Sequence, residues 1–281
     1  MQRNVCILSL SALFLMLSGL LPQQANAGAW EKKKGEYYAK LSSISYSADE
    51  HFTADGNREP LNTPDDSFDA DQVFLYVEYG VMERLTLVAD GNWGELVNRS
   101  MQVRDANSGV GDLGIGAKYQ WLDAPVVLAP YIKLKIPTGY DSDDNPSLGT
   151  GDVDLEFQLL ASRSLYPWPV YVGAELGYRL RGGPFPKQVP YALEVGVTPH
   201  KKVFTKAYLV GTNTLIGDTG FTDAMDSMSM QVSEGDFTKW GVSGALKVHG
   251  AVSVDLSYES IFSGESVGAG SSLGFGVSVS R

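Results

Sequence analysis

The stretch "DLGIGAKYQWLDAPVVLAPYIKLKIPTGY", Asp112–Tyr140, decides the fold. Large apolar residues recur at every second position, yet Lys118, Lys133 and Lys135 stand among them. A period of two belongs to a strand and not to a helix. A buried strand of a soluble protein would reject those lysines. A strand with lipid on one face and water on the other accepts both sets.

The N-terminus supplies the context. "MQRNVCILSLSALFLMLSGLLPQQANA" carries Arg3, then an apolar run from Val5 to Leu21, and closes on Ala25-Asn26-Ala27, the small-x-small pattern of a secretory cleavage site. Residues 1–27 are expected to be a signal peptide removed on export, and residues 28–281 one β-barrel domain. The single cysteine, Cys6, falls in the leader, so the mature chain has neither disulfide nor thiol chemistry. Without Arg3, 21 Lys and Arg face 33 Asp and Glu, a net charge of −12 that excludes nucleic acid as a partner. No run after the leader approaches the roughly 20 apolar residues of a spanning helix. A chain of this kind crosses a membrane only as a closed barrel.

About twelve strand-like segments follow, near 36–46, 72–80, 85–93, 111–121, 126–136, 152–162, 169–180, 190–198, 203–212, 238–247, 251–261 and 270–280. Their connections alternate in length. "GVMER", "LDAP", "SLYPWP", "PHKK" and "VHGA" are tight, whereas 47–71, 94–110, 137–151, 181–189, 213–237 and 263–269 are long. That rhythm belongs to outer-membrane barrels and is foreign to soluble sandwiches. Tyr79, Trp121, Trp168 and Trp240 stand near strand ends, where aromatic girdles sit. The fold class expected is all-β, a transmembrane antiparallel up-and-down barrel of about twelve strands, placed in a Gram-negative outer membrane among its lipids.

Parity sorts each strand into a lipid face and a water face. In 152–162, Val153, Leu155, Phe157 and Leu159 oppose Asp154, Glu156 and Gln158. Across the chain the water faces collect the acids Glu78, Asp90, Asp154, Glu156, Glu175, Glu194, Asp255 and Glu259. They also collect the bases Lys40, Lys118, Lys133, Lys135, Arg179, Lys206, Lys239 and Lys247. Of these, Lys118, Lys133, Lys135, Asp154, Glu156, Glu175, Arg179, Glu194, Asp255 and Glu259 are the candidate lumen-lining residues. The two lists have equal length, so the lumen is expected near neutral; a single-sign lumen would have suggested an ion-selective pore. A hairpin closed by residues 137–151 would set Lys135 opposite Asp154 and Lys133 opposite Glu156, pairs worth ~0.2–1 kcal/mol each.

The long loops hold the acidic excess. "DSDDN" at 141–145 begins like a calcium loop, but Pro146 stands where that loop needs glycine, so no metal is expected there. No catalytic centre is expected either. His200 and His249 lie in short turns, His51 lies in a long loop, and no Gly-x-Ser-x-Gly elbow or zinc cluster occurs. No cofactor motif occurs.

"GVGDLGIGAKYQW", "APYIKLKIPTGY" and "PSLGTGDVDLEFQLLASRSL" together resemble the bacterial outer-membrane barrels of the meta-pathway phenol-degradation family. The sharpest features are Gly111-Asp112-Leu113, Ile136-Pro137-Thr138-Gly139 and Leu148-Gly149-Thr150-Gly151-Asp152. The resemblance implies a channel or transporter for small hydrophobic or aromatic solutes. A fainter similarity of "GAW" and "YSADEHF" to barrels associated with exopolysaccharide secretion implies the alternative, a closed barrel with a structural or polysaccharide-export role. The chain departs from the outer-membrane habit of ending on an aromatic residue, since it ends in Arg281. Nothing in the pattern fixes an oligomeric state.

Overall fold

The structure, a computed structural model, describes residues 28–100, 103–215 and 235–281. The leader with Cys6, and the acidic 217–236 segment apart from Gly235 and Asp236, lie outside the described residues. The described chain forms the strands β1 (Tyr37–Ala48), β2 (Glu50–Phe52), β3 (Arg58–Pro60), β4 (Ser67–Met82), β5 (Leu85–Ser100), β6 (Val103–Tyr119), β7 (Val127–Ile136), β8 (Asp154–Ser164), β9 (Val170–Leu180), β10 (Gln188–His200), β11 (Val203–Thr214), β12 (Asp236–His249), β13 (Val252–Glu265), β14 (Val267–Gly268) and β15 (Ser271–Ser280). Twelve of them close into one antiparallel barrel in the order β1-β15-β13-β12-β11-β10-β9-β8-β7-β6-β5-β4. Closure is made by β1, which pairs with β4 on one side and β15 on the other, as Tyr38↔Glu78 and Tyr38↔Ser280. Backbone bonds between Tyr37 and Arg281 finish the seam.

The burial pattern is inverted relative to a soluble protein. Glu78, Lys118 and Asp154 are 1%, 4% and 4% exposed, while Leu176, Leu256 and Leu273 are 62%, 65% and 67% exposed. Apolar side chains cover the outside, as lipid requires, and charged ones turn inward. At the short-turn end Tyr79, Tyr119, Trp121, Tyr166 and Trp168 project outward as a girdle. Among the described residues no helix is long and apolar enough to cross a membrane, a statement that has no bearing on strands.

Three features differ from the sequence expectation. First, residues 94–110 are largely strand: β5 and β6 continue as one long hairpin, paired through Glu95↔Ser108 and Arg99↔Arg104. Strands of 16 and 17 residues extend roughly 55 Å, or about 40 Å along the normal when tilted, past a hydrocarbon core of ~30 Å. Beyond the lipid no apolar alternation is needed, so the extension is silent in the sequence pattern.

Second, the long connections 47–71 and 263–269 carry a three-stranded sheet, β14-β2-β3, beside the barrel's long-loop end. Phe52, Val267, Ala269 and Ile261 form its apolar core. His51, expected in an open loop, is fixed in β2 opposite Glu59 and Gly268.

Third, residues 28–36 enter the barrel at the short-turn end. Gly80 bonds Gly35 and Glu36, Lys32 N donates to Thr86 Oγ1 at 2.8 Å, and Glu31 N donates to Gln120 Oε1 at 3.0 Å. Ala29, fully buried, packs among Val127, Ala129 and Leu160, with Trp30 edge-on to Tyr171. The segment thus runs across the mouth from β4 to β9.

Candidate functional site

The barrel interior is the candidate site. The hairpin closed by residues 137–153 has the expected register, Lys133↔Glu156 and Lys135↔Asp154. The ion pairs follow it only in part. Lys135 Nζ stands 3.1 Å from Asp154 Oδ2 and 3.0 Å from Asp112 Oδ2. Lys133 turns away from Glu156 and pairs with Asp90 of β5 at 2.7 Å. Glu156 is taken from the other side by Arg179 of β9 at 2.6 Å.

The reach of Lys133 depends on Gly114 of β6, the strand between. A Cβ at Gly114 would lie 2.5 Å from Lys133 Cε and 2.6 Å from the Asp90 carboxylate, so the glycine leaves the groove through which the pair meets. Gly276 of β15 does the same for Lys40 and Asp255, which meet at 2.7 Å.

The remaining inward charges also find partners. Lys118 meets Glu78 at 2.8 Å, Lys206 meets Glu194 at 3.1 Å, and Lys239 meets Glu259 at 2.7 Å. Thus seven of the bases read from parity each hold a carboxylate from the opposite list. Glu175 and Lys247 are the members without an ion pair among the described residues. On β11, Phe204, Lys206 and Tyr208 share one inward face. There Phe204 stacks on Tyr171, and Tyr208 Oη donates to Glu259 at 2.6 Å.

The three motifs that carry the family resemblance converge on Lys135. Asp112 accepts from Lys135 and from the Tyr140 hydroxyl, Thr150 Oγ1 lies 2.7 Å from Lys135 Nζ, and Tyr140 Oη accepts from Gly151 N at 3.1 Å. Thr138 Oγ1 donates to the Val110 carbonyl at 2.8 Å. Residues 137–153 are thereby folded inward, with Pro146, Ser147 and Thr150 buried. Burial, and then the bond to Asp112, push the Tyr140 hydroxyl well above its usual range, so it stays a donor. Within the calcium-like run, Asp144 accepts from Asn107 at 3.0 Å and Asp141 from the Asp143 amide at 2.9 Å. Among the described residues no cluster of three His, Cys, Asp or Glu has metal-holding geometry.

A cavity of about 590 Å³ lies at mid-barrel. Its wall includes Lys118, Lys133, Glu156, Glu175 and Arg179 from the candidate set, with Asp90, Tyr76, Tyr131, Tyr191 and Phe237. Lys135, Asp154, Glu194, Asp255 and Glu259 stand outside that wall, in the pairs described above. Gly28 lines the cavity on one side. Asp112, which pairs with Lys135, was not among the acids read from parity, and no periodic signal marked residues 28–36, whose "GAWEKKKGE" is too short to show one.

Comparison with known proteins places this architecture. Among curated proteins no sequence match was found. An outer membrane channel from Pseudomonas putida F1 superposes with a TM-score of 0.72 at 16% identity, covering 92% of this chain and 100% of that one. The NanC porin gives a TM-score of 0.55 at 9% identity, covering 86% and 98%. The KdgM porin in complex with disordered oligogalacturonate gives 0.51 at 8% identity, covering 86% and 99%. At these identities the likeness is one of fold. A family model matches the sequence itself, over residues 46–185. Through those residues this outer-membrane β-barrel is similar to the family described as "Putative MetA-pathway of phenol degradation".

Proposed function

We propose that the barrel passes small solutes with aromatic or apolar parts across the outer membrane, through an interior kept near neutral by its ion pairs. The observation that carries this reading is the cavity of about 590 Å³, walled at once by paired charges and by Tyr76, Tyr131, Tyr191 and Phe237. Its size falls in the range of small-molecule sites, ~300–1,000 Å³, and its aromatic faces suit a flat apolar guest. The family description, which names phenol degradation, supports the same solute class. Lys118, Lys133, Glu156, Glu175 and Arg179 are the residues proposed to line the path.

A second reading is a closed barrel with a structural or polysaccharide-export role. Residues 28–36 at one end and 137–153 at the other favour it, because both fold into the barrel.

Planar-bilayer recording of the folded mature protein separates the two, with Lys133→Glu beside it. Lys133 is preferable to Lys135, which anchors residues 137–153. The passage reading expects steady conductance, shifted toward cations in the variant because the introduced carboxylate would stand beside Asp90. A silent barrel that still runs as a folded, heat-modifiable species would sink it and leave the closed-barrel reading.

A further inference from the structure

The interior is one cation short at a defined place. On the row Ser162↔Gly173↔Glu194 across β8, β9 and β10, Gly173 has no side chain, and Glu194 and Ser162 close over the space it leaves, with Gly28 against the same two side chains. Glu194 has only 10% of its side chain exposed, and its Oε2 takes Lys206. Its Oε1 is buried without a well-aligned hydrogen bond, as is the Tyr171 hydroxyl that neighbours it. Two residues further along β9, Glu175 borders the same cavity as Gly28 and has no ion-pair partner among the described residues.

Gly28 is held from both sides. Its carbonyl accepts from Lys118 Nζ at 3.2 Å, and the next amide, Ala29 N, donates to Ser162 Oγ at 3.3 Å. A Cβ on this residue would meet Ser162 Oγ at 2.6 Å, so the place is fitted to glycine. From that Cβ position Glu194 Oε1 is 3.7 Å away. The sequence "ANA" ends immediately before this residue.

We infer that hydrolysis of the Ala27–Gly28 bond creates the missing cation: the new α-ammonium of Gly28 is held by Glu194 and Glu175, and it locks residues 28–36 across the short-turn mouth. The step consumes one water. Its hydroxyl goes to the Ala27 carbonyl carbon and its hydrogen to the Gly28 nitrogen, giving at neutral pH a carboxylate on the released leader and an ammonium on the barrel. Nothing is oxidised or reduced. Removal of the leader then does two things at once, freeing the chain and supplying the charge that seats its new end. The inference is independent of whether solutes pass.

The test uses the mature protein purified from outer membranes in detergent. Intact mass gives the first residue, expected to be Gly28. Sub-stoichiometric acetylation with an N-hydroxysuccinimide ester at neutral pH, read on the N-terminal peptide, then measures access to the amine. In the folded barrel the amine is expected to react on the order of tenfold more slowly than in the same protein unfolded in urea. A different first residue, or equal rates folded and unfolded, would overturn the inference without any variant being made. In Glu175→Gln/Glu194→Gln, checked for closure by heat-modifiability, the folded rate should rise to within about twofold of the unfolded one. A closed double variant that keeps full protection would remove the two carboxylates from the account and overturn it equally.

Discussion

Lys135 Nζ lies 3.0 Å from Asp112 and 3.1 Å from Asp154, and so joins β7 to both neighbouring strands at the point where residues 137–153 leave the barrel. Thr150 returns to the same ammonium at 2.7 Å. One side chain therefore holds the hairpin's strands and its connection together. Lys135→Met would leave two carboxylates facing each other. The lysine side chain is 22% exposed, which lowers the cost to about 1–3 kcal/mol. Limited proteolysis at 141–147 should accelerate while the barrel stays closed; an unchanged cleavage rate would show that the connection is held by other contacts.

The Lys118–Glu78 pair is deeply buried, with side chains 5% and 2% exposed at 2.8 Å. Lys118→Met leaves Glu78 with the Tyr76 hydroxyl and with Lys32, 3.7 Å away, and should cost about 3–5 kcal/mol. Removing all three charges, as Lys118→Met/Glu78→Leu/Lys32→Met, leaves no buried ion of this cluster behind and should recover most of that loss. The comparison is made by urea unfolding in liposomes; a triple variant no better than the single one would refute this account of the pair.

Gly114→Ala should leave the barrel folded, with a stability change under about 1 kcal/mol, because the partly exposed Lys133–Asp90 pair is worth little. The added methyl blocks the groove and turns Lys133 back toward Glu156, its register neighbour. Asp90 is then uncovered on the cavity wall. In bilayers the variant should prefer cations more than the native barrel does, and an identical reversal potential would count against the bridging role given to Gly114.

Burial holds the Lys32 ammonium below its ordinary value of 10.5, outweighing Glu78, which pulls it up. Between the lowered value and 10.5 the unfolded chain keeps a proton that the folded chain has released. Stability contributed by Lys32 therefore rises with pH through that window. Relative to Lys32→Met, the native protein should gain in urea midpoint as the pH is raised from neutral toward 10.5. A constant gap between the two proteins over that range is the contrary result.

The twelve barrel strands were legible because lipid and water impose opposite demands on alternate residues, and Leu155 against Asp154 or Leu256 against Asp255 records that demand directly. The alternation of tight and long connections gave the up-and-down order. The membrane-external half of the β5–β6 hairpin was hidden, since Glu95, Arg99 and Arg104 form strand where no apolar face is required. The register of Lys133 with Glu156 was also open to reading, but its ion partner was not. Nearest-neighbour pairing assumes a side chain on the strand between, and Gly114 has none.

By itself, then, the sequence determined an acidic, all-β outer-membrane barrel of about twelve strands. Parity is a local property, written residue by residue along each strand. Tertiary structure alone decided which charge meets which, that Asp112, Tyr140 and Thr150 gather on Lys135, and that residues 28–36 cross the mouth to bring Gly28 beside Glu194. Those relations join positions far apart in the chain. They arise only when closure of β1 on β15 fixes the lumen's width and brings opposite walls within reach of a lysine side chain.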